Sequence, residues 1–276
     1  MRSGVRFEHY VRAILENARL VLKVAPVVVV AGALKVAFDA LGWDPIDLNA
    51  LLSGLVAANV FLLGFLLAGT VADYKESERL PGEVAASLET LADECLIIHE
   101  AKGDPSAARC LSHLHHLTVG IRGWLADQRT HADVLRDVRE LNRYLMAFEP
   151  LAQPGYITRM KTEQHNLRRA LIRIDVIRQT SFVTAGYVVA EMLAGLVILA
   201  LLLTDVQPMG EALFFVCTIT FLLAYVIVLI RDLDNPFEYP GGRQGAADVS
   251  LDALEQFERR LEQEDIEFTA GRVAAA

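Results

Sequence analysis

Cysteine is scarce in this chain and is not arranged for chemistry. Cys95, Cys110 and Cys217 are its only three, and none belongs to a C-x-x-C pair. That spacing offers neither a disulfide framework nor a cysteine metal site, and three small buried hydrophobes is the simpler reading. There is no glycine-rich phosphate loop, no G-x-S-x-G and no H-E-x-x-H, so the chain is not expected to be an enzyme and no cofactor is expected. An excess of positive charge is missing as well. The net charge is −9, and the stretch from Asp248 to Glu267 holds eight acids against Arg259 and Arg260. Nucleic acid selects a basic surface and is therefore not an expected partner. Neither β-alternation nor an internal repeat is present. No cleavable leader is expected either, because Arg2, Arg6, Arg12 and Arg19 precede the first apolar run and no small-residue cleavage site follows it.

What the chain has in quantity is apolar surface. It is 53% hydrophobic, with a mean hydropathy of +0.33. The excess is gathered into four runs of spanning length: Leu20 to Leu41, Ile46 to Ala72, Phe182 to Leu203 and Ala212 to Ile230. About 20 mostly apolar residues cross a bilayer as a helix. The links inside each pair are short and acidic, with Asp39, Asp44 and Asp47 in one and Asp205 and Glu211 in the other. Arginine and lysine collect elsewhere, at the amino terminus, at Arg159, Lys161, Arg168, Arg169, Arg173 and Arg178, and at Arg231 and Arg243. The positive-inside rule then puts both termini and the long middle region in the cytoplasm of a multi-pass inner-membrane protein.

The expected organisation is all-α. Residues 1–19 form an interfacial amphipathic helix, with Phe7, Val11, Ile14, Leu15 and Ala18 at helical spacing. Residues 20–72 form the first transmembrane pair, 73–180 a helical cytoplasmic body, 181–232 the second pair and 233–276 a cytoplasmic tail. In the body, Val84, Leu88, Leu91, Cys95 and Ile98 form one stripe. Leu111, Leu114, Leu117, Ile121 and Leu125 form a second, and Val134, Val138, Leu141, Leu145 and Phe148 a third. Asp104-Pro105-Ser106 starts a helix, Pro150 and Pro154-Gly155 break one, and Ser250 caps the last. The helix from Tyr156 is expected to continue into the third span.

The second span carries the functional signal. Asn49, Ser53, Ala57, Phe61 and Phe65 step by four, so successive positions drift by about 40° around the axis. Ala57, Phe61 and Phe65 define the tightest face, with Ser53 and Asn49 above it and Asp73 where the span is expected to end. Several such helices around an axis would make a polar funnel, a dry apolar neck and an acidic exit, the parts of a pore gated by dewetting. The plainer reading is that phenylalanines at this spacing pack against a neighbour or lipid.

Phe61-Leu62-Leu63-Gly64-Phe65, then Thr70, Tyr74 and Lys75-Glu76-Ser77-Glu78, resembles the second membrane helix of the bestrophin and bestrophin-like family. Leu233-Asp234-Asn235-Pro236-Phe237, followed by Ser250-Leu251-Asp252-Ala253-Leu254, is similar to that family's segment after the fourth span. The order of elements also matches. The resemblance implies a homopentameric channel for inorganic ions with its neck at Ala57, Phe61 and Phe65. Ala57 departs from the usual branched aliphatic and leaves a wider ring. Glu238-Tyr239-Pro240-Gly241-Gly242-Arg243 lacks the acids of the calcium clasp of animal members, and Asp73-Tyr74-Lys75 stands where paired tryptophans are usual. Asp73 and the acidic links favour small monovalent cations. The rival reading is a non-conducting membrane protein whose helical body senses a signal or binds a partner.

Two further features stand out. Glu191 is an intramembrane acid, expected to pair with Lys35, Lys23 or the Tyr187 hydroxyl rather than to line an ion path. His113, His115 and His116, with His99 nearby, read as a solvated helix face, since no cysteine or carboxylate completes a tetrahedral set at the usual spacing; no metal is expected.

Overall fold

The computed structural model describes residues 2–47, 49–179, 184–234, 236–237, 239 and 248–274, with the side chains of 2–19, 184–185 and 264–274 left aside. Among them lie eight helices: α1 Arg2–Ala40, α2 Ala50–Lys102, α3 Pro105–Leu125, α4 His131–Phe148, α5 Pro154–Gln179, α6 Thr184–Leu202, α7 Met209–Leu233 and α8 Asp252–Ala274. The class is all-α, as the apolar and amphipathic periodicities require. α1 from Leu20, α2 and α7 are each long and apolar enough to cross a membrane. The described apolar part of α6, Gly186–Leu202, is shorter. The junction between α5 and the expected third span falls at residues 180–183, outside the described residues.

The chain divides into two compact units, residues 1–74 with 181–235 and residues 75–180 with 236–276. The first unit is an apolar bundle. Its core joins Ala31 of α1, Leu52, Leu63 and Leu66 of α2, Ala190, Ala194, Val197 and Leu201 of α6, and Val216, Leu223 and Ile230 of α7. Small residues bring the backbones close, as is usual where membrane helices meet. A Cβ added at Gly32 would stand 3.2 Å from Cys217 Sγ and 3.3 Å from a methyl of Leu213. Two short strands, β1 Ile46–Asp47 and β2 Thr204–Asp205, pair in parallel with Ile46 opposite Thr204. No sequence alternation announced them. Two residues cannot show a period, and both lie in links that read only as acidic.

Lys35 completes this junction. It is fully buried and its Nζ donates to the Thr204 carbonyl at 2.7 Å. The Thr204 hydroxyl donates to Ala200 O at 2.6 Å, and the Ile46 amide donates to Leu203 O at 3.1 Å. One carbonyl in the last turn of α6, Ala200, and the two just beyond that helix, Leu203 and Thr204, are thus taken up by three different donors. A positive side chain there also meets the negative end of the helix dipole.

The second unit is a helical body around one core. Each of the three stripes read from the sequence is buried: Val84 to Ile98 on α2, Leu111 to Leu125 on α3 and Val134 to Phe148 on α4. Met160, Leu167, Leu171 and Ile174 of α5 and Leu254, Phe257 and Leu261 of α8 close it. Asp104 caps α3 by accepting from the Ser106 amide at 2.7 Å, with Pro105 in the first turn. Thr130 and Asp133 form a capping box at α4. Phe237 is fully buried in this core, and its segment is held by Val249 N donating to Pro236 O and the Tyr239 hydroxyl donating to Val249 O, both at 2.8 Å. The Ser250 hydroxyl accepts from the Asp252 amide at 3.1 Å, two residues before the start of α8 rather than directly at its cap.

One expectation is corrected. The second span was to end at Asp73, yet α2 is a single helix of 53 residues that runs through that position and through Pro81. Lys, Glu and Arg between residues 75 and 79 are good helix formers outside an apolar setting. A proline inside a helix costs about 3 kcal/mol. Here Leu80, Val84 and Leu88 are buried beside Pro81, and each contributes about 1.5–3 kcal/mol. Burial outweighs the lost bond. The amino-terminal segment shows a similar continuity, since α1 carries no break between residues 2 and 40.

Candidate functional site

The two faces of α2 inside the first unit differ sharply. Leu52, Asn59, Leu63, Leu66 and Thr70 are buried against the bundle. Ser53, Gly54, Ala57, Ala58, Val60, Phe61, Gly64, Phe65 and Ala68 are exposed. Phe61 and Phe65 are 77% and 67% exposed, among the most open large apolar side chains of the chain. Ala57, Phe61 and Phe65 therefore share one uncovered face over about 12 Å of helix, at about 1.5 Å per residue.

The surroundings of that face differ from those of the exposed surface of α1. α1 shows Leu22, Val27, Val29, Val30 and Leu34, bulky aliphatics of the kind that face lipid tails. On α2, glycine and alanine surround the two rings. Small residues let helices approach closely. Beside it, Ala57 and Phe61 of α2 and Phe215, Val216 and Ile219 of α7 border an apolar cavity of about 580 Å³ whose inner wall includes Lys35 and Thr204. The α7 contribution has no motif in the sequence, because it depends on how the helices pair.

The flanking polar residues have definite local roles. The Asn49 carboxamide oxygen accepts from the Leu51 and Leu52 amides at 2.9 and 3.0 Å, so it caps α2. The Ser53 hydroxyl donates to Asn49 O at 3.3 Å. Both residues are exposed at the helix start, whereas Asp73 is half-buried within the helix. Thr70 is buried, and its hydroxyl donates to Leu66 O at 3.0 Å. Asn59 is buried with neither side-chain polar atom hydrogen-bonded among the described residues.

Glu191 pairs with Arg231, its carboxylate accepting from the guanidinium at 2.5 Å. This corrects the expected partners: Lys35 is committed to Thr204, Lys23 is exposed, and the Tyr187 hydroxyl donates to Asp234 at 2.7 Å. The sequence suggested Arg231 only as loop charge, but α7 carries it back beside α6.

In the second unit, Arg173 donates two bonds of 2.8 Å to Glu76, a bidentate pair. The guanidinium holds the Glu76 carboxyl below its ordinary range. The Cys95 thiol is pushed well up, first by its hydrogen bond with Cys110 and then by burial, which makes it unreactive. His113 Nε2 lies 2.9 Å from Asp137 O, and His115 and His116 approach Glu262 and Asp137. The carboxylate beside His115 comes from α8, which no local spacing could reveal. Positions 238 and 240–247, where a calcium clasp was judged missing, lie outside the described residues.

No family model matches the chain, and no curated protein does either. Solved structures do match. One point variant of a bacterial bestrophin homolog from Klebsiella pneumoniae superposes with a TM-score of 0.75 at 17% identity, over 88% of this chain and 99% of that one. A second point variant of that homolog gives 0.71 at 17% identity, over 89% and 97%. A variant structure described simply as a membrane protein gives 0.72 at 18% identity, over 90% and 98%. The fold is thus that of the bacterial bestrophin homologues, nearly end to end.

Proposed function

We propose that the chain is an oligomeric ion channel, a homopentamer by the resemblance to bestrophins, with α2 lining the pore and Ala57, Phe61 and Phe65 forming its neck. The observation that carries the reading is the α2 face itself, two exposed phenylalanine rings set among alanine and glycine. Around a shared axis those rings make a dry constriction that stops ions until it widens. Asn49 and Ser53 belong to one mouth and Asp73 to the other. Glu191, tied to Arg231, is a positioning residue outside the ion path.

Residues 20–72 and 181–232 are the membrane pairs, residues 1–19 lie along the inner interface, and 73–180 with 233–276 are cytoplasmic. The acidic links and Asp73 favour small monovalent cations. The conduction is passive and the chain is not an enzyme.

Flux from liposomes loaded with different salts tests conduction and its sign. Cysteine placed at Phe61 and Phe65 should react with aqueous thiol reagents in the reconstituted protein, and cysteine at Leu62 and Leu66 should not. Phe61→Ala with Phe65→Ala should raise the leak. Uniform protection, with currents unchanged in the double variant, favours the non-conducting sensor or partner-binding reading instead.

A further inference from the structure

We propose that His115, Glu258 and Glu262 form a binding site for one divalent transition-metal ion, zinc being the best fit, which pins α8 to α3. Each residue presents one ligand atom, and the three atoms lie within 4.8 Å of one another. His115 Nε2 stands 3.7 Å from Glu262 Oε1. Ligand atoms around a four-coordinate zinc are about 3.3 Å apart, given bonds of roughly 2.0–2.2 Å. Small torsions of two glutamates close that difference.

Three further observations support the site. His115 Nε2 is shielded from water and has no hydrogen-bond partner among the described residues, so a nitrogen donor is aimed at the two carboxylates with nothing accepting or donating there. Glu258 and Glu262 are one turn apart on α8, a spacing that puts both on one side. That helix is fixed by Leu254, Phe257 and Leu261 in the core of the second unit, so the glutamates do not depend on a loose tail for their position.

Charge points the same way. Glu255, Glu258 and Glu262 crowd this side of α8. Arg122 binds both Glu258 and Glu255, the latter at 3.3 Å, and Arg259 also reaches Glu255 at 3.3 Å. Among the described residues Glu262 has only His115 opposite it, so its charge is open to a cation there. One imidazole and two carboxylates are a donor set suited to zinc and its neighbours rather than to calcium, which takes six or more oxygens. Arg122 orients Glu258 from behind, as supporting groups do at metal sites.

The test uses tag-free full-length protein in detergent, stripped with a chelator and titrated with zinc by calorimetry and with cobalt by visible absorption. One equivalent per chain should bind, and the wild-type melting temperature should rise with zinc. Glu262→Gln and His115→Gln should each weaken binding at least tenfold and lose that rise, while His116→Ala binds as wild type. Glu262 is exposed, so its replacement does not threaten folding. A wild type without saturable binding, or isotherms identical in wild type, Glu262→Gln and His115→Gln, overturns the proposal and leaves a histidine–glutamate ion pair. Neither readout depends on ion conduction.

Discussion

Lys35 and Thr204 are 169 positions apart in sequence, yet the lysine Nζ reaches the threonine carbonyl in a fully buried bond of 2.7 Å. Lys35→Ala removes the donor and the aliphatic stem together. It should cost about 2–5 kcal/mol, the range for emptying a buried site of this size. Lys35→Met keeps the volume and loses only the bond to a charged donor, about 1.5–3 kcal/mol, part of which is returned because no charge need then be buried. Chemical denaturation in detergent should rank the alanine variant below the methionine one. Equal losses would mean that packing plays no part.

Asn59 gives the opposite sign. Its carboxamide is buried without hydrogen bonds in the described residues. Asn59→Leu is close in volume and removes that burden, so it should stabilise by about 1–3 kcal/mol. A lower melting temperature would show that Asn59 meets a polar group in the assembly.

Glu76 and Arg173 make stability depend on pH in one window. The folded carboxyl titrates below its ordinary value of 4.5, because the guanidinium stabilises the anion. The contribution is therefore complete above about pH 5 and disappears as pH falls through the lowered value. Both side chains are 44% exposed, so screening limits it to about 1 kcal/mol or less. The stability difference between wild type and Glu76→Gln should shrink as pH falls from about 5 to about 3. A flat difference would refute the coupling.

Phe237 anchors the segment after α7. Phe237→Ala should cost about 3–5 kcal/mol, as for other large aromatic side chains removed from a core. Protection of α8 amides from hydrogen exchange should fall with it. If α8 stays protected, the aromatic ring does not hold that helix.

The sequence was legible where a pattern repeats over many residues. The stripes of α2, α3 and α4 announced their buried faces because 3.6-residue periodicity needs only local information. That Ala57, Phe61 and Phe65 lie on one exposed side of α2 was legible too, from their four-residue spacing. Partners were not legible. Arg231 beside Glu191, Glu258 and Glu262 beside His115, and Thr204 above Lys35 each join residues 40 to 169 positions apart, and only the packing of whole helices decides them. The passage of α2 through Pro81 was hidden for a related reason. A local breaker was overruled by burial that the local sequence does not display.

α6 is fastened by hydrogen bonds at both extremities. Near its start, Tyr187 and Glu191 hold Asp234 and Arg231; at its finish, the Thr204 hydroxyl takes the Ala200 carbonyl, while Ile46 and Lys35 bind those of Leu203 and Thr204 just beyond. Between them, Ala194 and Val197 rest on the apolar core of the bundle. Like a string tied at both pegs, the helix resists sliding along its length far more than bowing sideways, and any displacement it undergoes will be greatest at mid-span.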